Sequence, residues 1–418
     1  MRAISLRTTP PVQQKTLENQ KSEPHAGFSS INRLDSQSSG GSTLSVAIAG
    51  ERLRSLDAFR GLTIALMIVV NCTGDSPYVF EPLRHADWNG WTFADTVFPS
   101  FLFIVGVSLV FSFARREEVQ LSNWALVVRI LRRTLLLFAL GLFVNTFPTF
   151  DLSTIRIPGV LQRIALCYFF ASLIVLKAGL RGRILWLIGM LASYWLLMIY
   201  VPTPGIGAGV LEPGRNFAAW VDSHLLKGYM WSYYDGKWDP EGIVSTLPAI
   251  ATILFGVLTG QWLKSSLRED KKVAGMLCAG VFLLLAGYIL DRWLPINKSI
   301  WTSTFSIFMA GFALVCLAIF YFLIDFADLS RWAKPFIILG LNPIAVYVLS
   351  IVVDSTLRTM GLAISGGNNS SCPYYLFRHF CIPTSTAEIV SLLYAMVILA
   401  SMFLVAWILW RRRIFIKV

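Results

Sequence analysis

The chain has 418 residues, of which 55% are hydrophobic, 13% aromatic and only 14% charged, with a formal net charge of +12 and a mean hydropathy of +0.62. Soluble domains carry about 25% charged residues, so a soluble globular enzyme is excluded, and the recurring apolar windows of about 20 residues are each long enough to cross a bilayer as a helix. The basic excess reads as the Lys/Arg bias of cytoplasmic loops, so no nucleic-acid partner is expected.

Residues 1–50 are Ser/Gln-rich, including QSSGGSTLS at 37–45, without hydrophobic period, and are expected to form a disordered cytoplasmic tail. Met1–Gln20 holds no apolar core of a signal peptide, so the first span is expected to serve as the insertion signal. Ten spans follow, at about 57–77, 93–113, 128–147, 158–178, 184–202, 244–264, 273–293, 301–325, 335–354 and 387–410. Because backbone facing lipid must satisfy its own hydrogen bonds, the fold class is an all-α polytopic membrane protein. Residues 51–418 form its membrane domain, with non-cytoplasmic loops at 78–92, 203–243 and 355–386. Arg115, Arg116, Arg129, Arg132 and Arg133 follow the second span. Lys177, Arg181, Arg183, Lys264, Arg268, Lys271 and Lys272 follow the fourth and sixth, and Arg411, Arg412 and Arg413 close the chain. The opposite loops are longer and poorer in basic residues, which places both termini in the cytoplasm. GVLTG at 256–260 is a GxxxG expected to mark close helix packing.

Asn297, Asn368 and Asn369 open Asn-x-Ser sequons in expected non-cytoplasmic stretches, where glycosylation is expected. Cys372 and Cys381 share the last such loop, where a disulfide would persist. Cys72, Cys167, Cys278 and Cys316 lie in apolar spans and read as packing residues. Four scattered histidines make a metal site unexpected.

The chemistry gathers at the ends of spans. In LRSLDAFRGLTIALMIVVN at 53–71, Asp57 and Arg60 are i, i+3 partners, and Asn71 returns to nearly the same helix face roughly 16 Å further along. Asp57 and Arg60 read equally as an ion pair fixing the helix end or as a binding pair. Asn71 needs a partner or a substrate at its depth. His85 follows in RHADWNGWTFAD at 84–95, with Asp87 and Asp95 as carboxylates able to orient it for general-base or nucleophilic work. Gln162 and Arg163 open the fourth span, Asp239 and Glu241 sit in DPEGIVST, Asn297 and Lys298 in LPINKSIW, and Asn342 precedes Pro343. Their convergence on one leaflet would line a cavity opening away from the cytoplasm.

The segments RLRSLDAFRG (52–61), VVN (69–71), HADWNGWTFADTVFPSFLFIVG (85–106), GVLQRIA (159–165), DPEGI (239–243), INKSIW (296–301) and LGLNPIAVYV (339–348) occur in this order. In them the chain resembles the heparan-α-glucosaminide N-acetyltransferase family, over approximately 52–410. The resemblance implies that His85 is the catalytic residue, that Asn71 belongs to the active site and that Asp95 stands at the family's aspartate. It further implies acetyl-CoA as cytosolic co-substrate, no metal, and an amine or hydroxyl of a sugar or glycan on the other side as acceptor. Vacuolar or lysosomal membrane, or plasma membrane, suits that function, with lipid and a second copy of the chain as further partners. In this reading Arg132 and Arg133, among the basic residues at 115–133 and 181–183, receive the nucleotide phosphates, Asn71 hydrogen-bonds the carbonyl oxygen, and His85 acts as base or as acetyl carrier. The other class is a multi-pass transporter of a small organic anion or sugar. No inverted repeat and no matched pair of broken helices speaks for it.

Overall fold

Apolar runs of 18 to 25 residues can satisfy their backbones in lipid only as helices, and the computed structural model, which describes residues 53–73, 79–117, 123–151, 153, 155–364 and 387–416, is built accordingly. Its helices are α1 (Arg54–Cys72), α2 (Phe93–Glu117), α3 (Asn123–Thr146), α4 (Val160–Lys177), α5 (Leu180–Tyr200), the short α6 (Phe217–Leu225), α7 (Thr246–Leu263), α8 (Glu269–Leu290), α9 (Ser303–Tyr321), α10 (Lys334–Leu341), α11 (Pro343–Ile364) and α12 (Ala387–Arg411). Among the described residues nine helices are long and apolar enough to cross a membrane. The tenth expected span is α3, a full-length helix that carries Arg129, Arg132 and Arg133. The tail before Arg52 lies outside the described residues, as do Asn368, Asn369, Cys372 and Cys381.

Burial separates the centre of the bundle from its rim. The apolar stretches of α1, α2 and α7 are 67–72% buried, whereas those of α5, α8 and α11 are 22% buried. The central helices meet through glycine, because small residues let helix backbones approach where lipid supplies no hydrophobic drive. A Cβ on Gly256 of α7 would overlap the carbonyl of Phe103 in α2, so the GxxxG works as the sequence suggested. Gly61 of α1 and Gly340 of α10 interlock in the same way, against the carbonyls of Phe336 and Asp57. Gly61→Val is therefore expected to cost about 1–3 kcal/mol or more through overpacking, and to reduce the yield of monodisperse, detergent-extracted protein. A wild-type yield on size exclusion would show that α1 and α10 tolerate separation.

The ninth expected span, 335–354, is not continuous. Asn342 adopts φ −129°, ψ 50° between α10 and α11, and Pro343 starts the second helix, since the residue before proline is steered away from the helical region. The Asn342 side chain donates to Ile414 O at 3.1 Å and accepts from Ile416 N at 2.7 Å. It thus clamps the segment after α12 at the end of the bundle where α1 begins. This corrects the expectation that Asn342 joins the polar group around His85. Its proximity to the C-terminal segment also puts both chain ends of the membrane domain at one end of the bundle.

Candidate functional site

The loop between α1 and α2 is fastened to the first turn of α2. Asp95 is 1% exposed, and its Oδ2 accepts from Ala86 N (3.1 Å), Thr92 N (3.0 Å) and Thr92 Oγ1 (3.1 Å). This is one half of a capping box, in which an acid at the third position satisfies the capping residue's N–H. Oδ1 faces His85 Nδ1 at 2.7 Å. A neutral imidazole then carries its proton on Nδ1 and its lone pair on Nε2, the atom that Lys298 Nζ approaches at 3.1 Å. His85 leaves 48% of its side chain exposed, as an acid–base group that meets a substrate must.

A second loop, between α8 and α9, brings the third charge. Lys298 Nζ lies 2.9 Å from His85 Nδ1, 3.1 Å from Nε2 and 3.3 Å from Asp95 Oδ1. Its placement is set by Asn297, which is wholly buried. Asn297 Nδ2 donates to Asn89 Oδ1 (3.1 Å) and its Oδ1 accepts from Ile300 N (3.1 Å), while Gly90 N donates to Ile296 O at 2.7 Å. Gly90 has φ +94°, a conformation open to glycine. Asn297 is thus a structural bracket. This corrects both of its expected roles, since its amide is consumed inside the protein and leaves no room for a glycan or a ligand. Burial and the Lys298 ammonium hold the His85 imidazole below its ordinary range, against the pull of Asp95 and Glu241. Burial likewise holds Lys298 below the ordinary ammonium range, although Asp95 and Glu241 favour its charge.

Asp239 and Glu241 also lie at this end, and the residue they hold is Arg156, which no sequence motif singles out. Arg156 Nε and Nη2 bind the two Asp239 oxygens at 2.9 and 2.7 Å, and Nη2 also donates to Glu241. Its guanidinium lies 4.6 Å over the Trp231 ring. Asp239 further accepts from Trp231 N (3.0 Å) and Glu241 N (3.0 Å), so it is a fully paired organiser of the loop. Arg163 is 1% exposed. It donates to Gly242 O at 3.1 Å and to the Ser245 hydroxyl, and packs 5.1 Å over the Trp301 ring.

Below Arg156 and Trp231 lies a cavity of about 540 Å³, walled by α1, α3, α4 and α11 and lined by Asn71, Asn145, Gln162, Tyr347 and Asp354 among others. Asn71 lines it and pairs with Tyr347. Gln162 is 2% exposed and faces the same space. Asp354 holds Arg358 at 2.8 Å and Tyr394 Oη at 2.9 Å. The structure therefore brings together His85, Asp95, Lys298 and Glu241, and joins them through Arg156 to the cavity that holds Asn71 and Gln162.

It does not bring Asp57 and Arg60 there. These pair at 2.8 Å, and Arg60 also donates to Ser108 Oγ at 2.6 Å, near Gly340 and the start of α1. Arg132 is exposed on α3, and Arg133 lies 4.6 Å over the Tyr168 ring. Among the described residues no group of three His, Cys, Asp or Glu is placed to hold a metal.

Residues 52–288 match the family model described as heparan-α-glucosaminide N-acetyltransferase, catalytic. The human heparan-α-glucosaminide N-acetyltransferase is 30% identical over 352 residues, covering 71% of this chain and 52% of that protein. The mouse protein of the same name is 29% identical over 362 residues, covering 73% and 54%. The chain thus spans about half the length of the curated relatives it matches. The family match encloses Asn71, His85, Asp95, Arg156, Gln162, Asp239 and Glu241, and ends before Lys298.

Proposed function

The chain belongs to the heparan-α-glucosaminide N-acetyltransferase family, and from that premise we propose that it is a transmembrane acetyltransferase. In this reading it moves an acetyl group from cytosolic acetyl-CoA to the amine of a sugar on the lumenal or outer side, with vacuole or lysosome as its membrane. The single observation that supports it most is the His85 imidazole, oriented by Asp95 at 2.7 Å and held below its ordinary range by burial and by the Lys298 ammonium.

The chemistry follows from these groups. His85 Nε2 takes a proton from the acceptor ammonium. The freed amine attacks the thioester carbonyl, the C–S bond breaks, and coenzyme A leaves as its thiol, its sulfur taking the proton that the amine nitrogen sheds. Alternatively Nε2 attacks the thioester carbonyl first, the C–S bond breaks and coenzyme A leaves as its thiolate; the amine then takes the acetyl group from the imidazole, and its surplus proton passes to Nε2. In either route Asn71 donates to the carbonyl oxygen as charge develops there. Arg132 and Arg133, near the middle of α3 and before its cavity-lining residues Gly141, Val144 and Asn145, meet the donor's phosphates. The basic segments flanking α3 then face the cytoplasm, and the loops carrying His85 and Lys298 face the other side.

The test uses purified protein in proteoliposomes with radiolabelled acetyl-CoA outside and glucosamine enclosed. Labelled N-acetylglucosamine inside the vesicles is the expected product. Label that crosses the membrane still attached to its donor, with no acetylated sugar, would replace the transferase by a transporter. The break at Asn342 gives that class its one structural foothold.

A further inference from the structure

Lys298 brings a primary amine as close to His85 as a substrate amine would have to come. Its Nζ is 2.9 Å from Nδ1 and 3.1 Å from Nε2, within the separation of about 3–3.5 Å at which bound groups react. A point nearly equidistant from both nitrogens at this range lies over a face of the ring, because in the ring plane it would collide with the carbon between them. An acetyl group on Nε2 lies in the plane of the ring, and a nucleophile attacks a planar acyl group from above or below that plane. The amine therefore stands on the side from which attack proceeds.

It is also held there. Lys298 O accepts from Trp301 N at 3.0 Å, the preceding Asn297 is wholly buried, and the Lys298 side chain is only 20% exposed, with Nζ 3.3 Å from Asp95 Oδ1. An arginine in this place would stay charged, whereas an enclosed lysine gives up its proton more readily. Burial holds the ammonium below its ordinary range although Asp95 and Glu241 favour its charge, so a share of the molecules carries a free amine beside the imidazole. Lys227 and Lys237, between α5 and α7, are exposed.

We propose that Lys298 is a self-acetylation site: when no sugar amine is present, the acetyl group passes under the action of His85 to Lys298 Nζ, and the amide so formed slows further transfer. The proposal rests on the transferase reading for the source of the acetyl group. Lys298 enters the step as a free amine, one proton of its ammonium having passed through the half-exposed imidazole to water. Its nitrogen bonds to the acetyl carbonyl carbon, the C–S bond of acetyl-CoA breaks, and the surplus proton on the new amide nitrogen goes to sulfur, so coenzyme A leaves as its thiol. Where the acetyl group stands on Nε2, the bond that breaks is C–Nε2 and that nitrogen takes the proton.

The amide carries no charge, so the cation that opposes protonation of His85 is lost. Asp95 on α2 and Glu241 in the 239–243 segment remain, both favouring the imidazolium, with burial alone against them. His85 then keeps its proton to higher pH, and at acid pH less of it is free to act as base. The added acetyl group also stands over the ring face where an acceptor amine must arrive.

The test is site-resolved mass spectrometry of the full-length protein in nanodiscs after incubation with acetyl-CoA carrying a deuterated acetyl group, with and without glucosamine. Without the sugar, Lys298 is expected to gain label about a hundredfold faster than Lys227 and Lys237, the scale of a positioned base and a near-attack amine. Excess glucosamine is expected to suppress that gain, and His85→Ala to bring it down to the rate of the exposed lysines. Equal labelling of all three lysines in wild type is chemical acetylation only and overturns the proposal, as does a rate at Lys298 that His85→Ala leaves unchanged. Activity is the second readout. After preincubation with acetyl-CoA, wild-type transfer at acid pH is expected to fall roughly three- to tenfold, the reach of one adjacent charge, whereas Lys298→Arg, which has no amine to acylate, keeps the rate it began with. A parallel decline in both overturns the silencing. The glucosamine product in the same samples judges the transferase reading by itself. Acetylated sugar without label at Lys298 keeps the transferase and removes this site. Label at Lys298 without acetylated sugar keeps the site and moves the acceptor, and label on neither removes both.

Discussion

His85→Ala is expected to lower acetyl transfer by about three orders of magnitude, the joint scale of losing a positioned base and a nucleophile, while leaving the protein folded and its acetyl-CoA affinity unchanged. Folding is spared because the imidazole is half exposed and because Asp95, once His85 is gone, still accepts from Lys298, Ala86 and Thr92. The measurement is the single-turnover rate of labelled acetyl transfer to an amino sugar in proteoliposomes, with size exclusion as the check on folding. Loss of less than about tenfold would remove His85 from the chemistry. Acid-quenched wild type distinguishes the two routes: label that appears on the protein before it appears on the sugar requires the acetyl-imidazole, and its absence at every time point requires direct attack.

Lys298→Met is expected to move the acid limb of the kcat/KM–pH profile to higher pH. The ammonium lies within 3.1 Å of both ring nitrogens, and its positive charge disfavours protonation of the ring. With it removed, burial alone opposes Asp95 and Glu241, both of which favour the charged form. The proton is then held to higher pH, so at a fixed pH on the acid limb a smaller share of His85 is free to act as base. Transfer there falls roughly three- to tenfold, the reach of one adjacent charge, and recovers toward wild type as pH rises through the limb. Recovery at high pH separates this charge effect from simple damage to the loop. A profile displaced to lower pH, or lowered uniformly at every pH, would show that Lys298 does not hold the imidazole neutral. An organism that runs this reaction in an acidified compartment gains most from such a neighbour.

Much of this architecture was readable from local pattern. The apolar runs marked the spans, because a helix in lipid announces itself by length and hydropathy. The Asp95 carboxylate beside His85 was readable because ten residues and a helix start separate them. Contacts between distant segments left no such trace. Arg156 meets Asp239 across 83 positions, and no period or spacing connects DLSTIRIP to WDPEG. Asn342 directly follows the eight residues of α10, so chain order keeps it near the cytoplasmic end of its span, although polarity alone suggests a place beside His85. Asn297 looked like a sequon and a ligand, but the burial that makes it a bracket depends on Asn89, 208 residues earlier. Asp354 and Arg358, an i, i+4 pair in an otherwise apolar helix, could have been found from spacing alone.

The loop between α1 and α2 and the loop between α8 and α9 are joined at three places: Gly90 to Ile296, Asn89 to Asn297, and Asp95 to Lys298. These links tie the residues just before α2, from Arg84 on, to the loop between α8 and α9, and the bonds from Asp95 fix the imidazole and its ammonium neighbour in one arrangement before any substrate arrives. The cost of ordering them is met once, when the chain folds, and does not recur at every turnover.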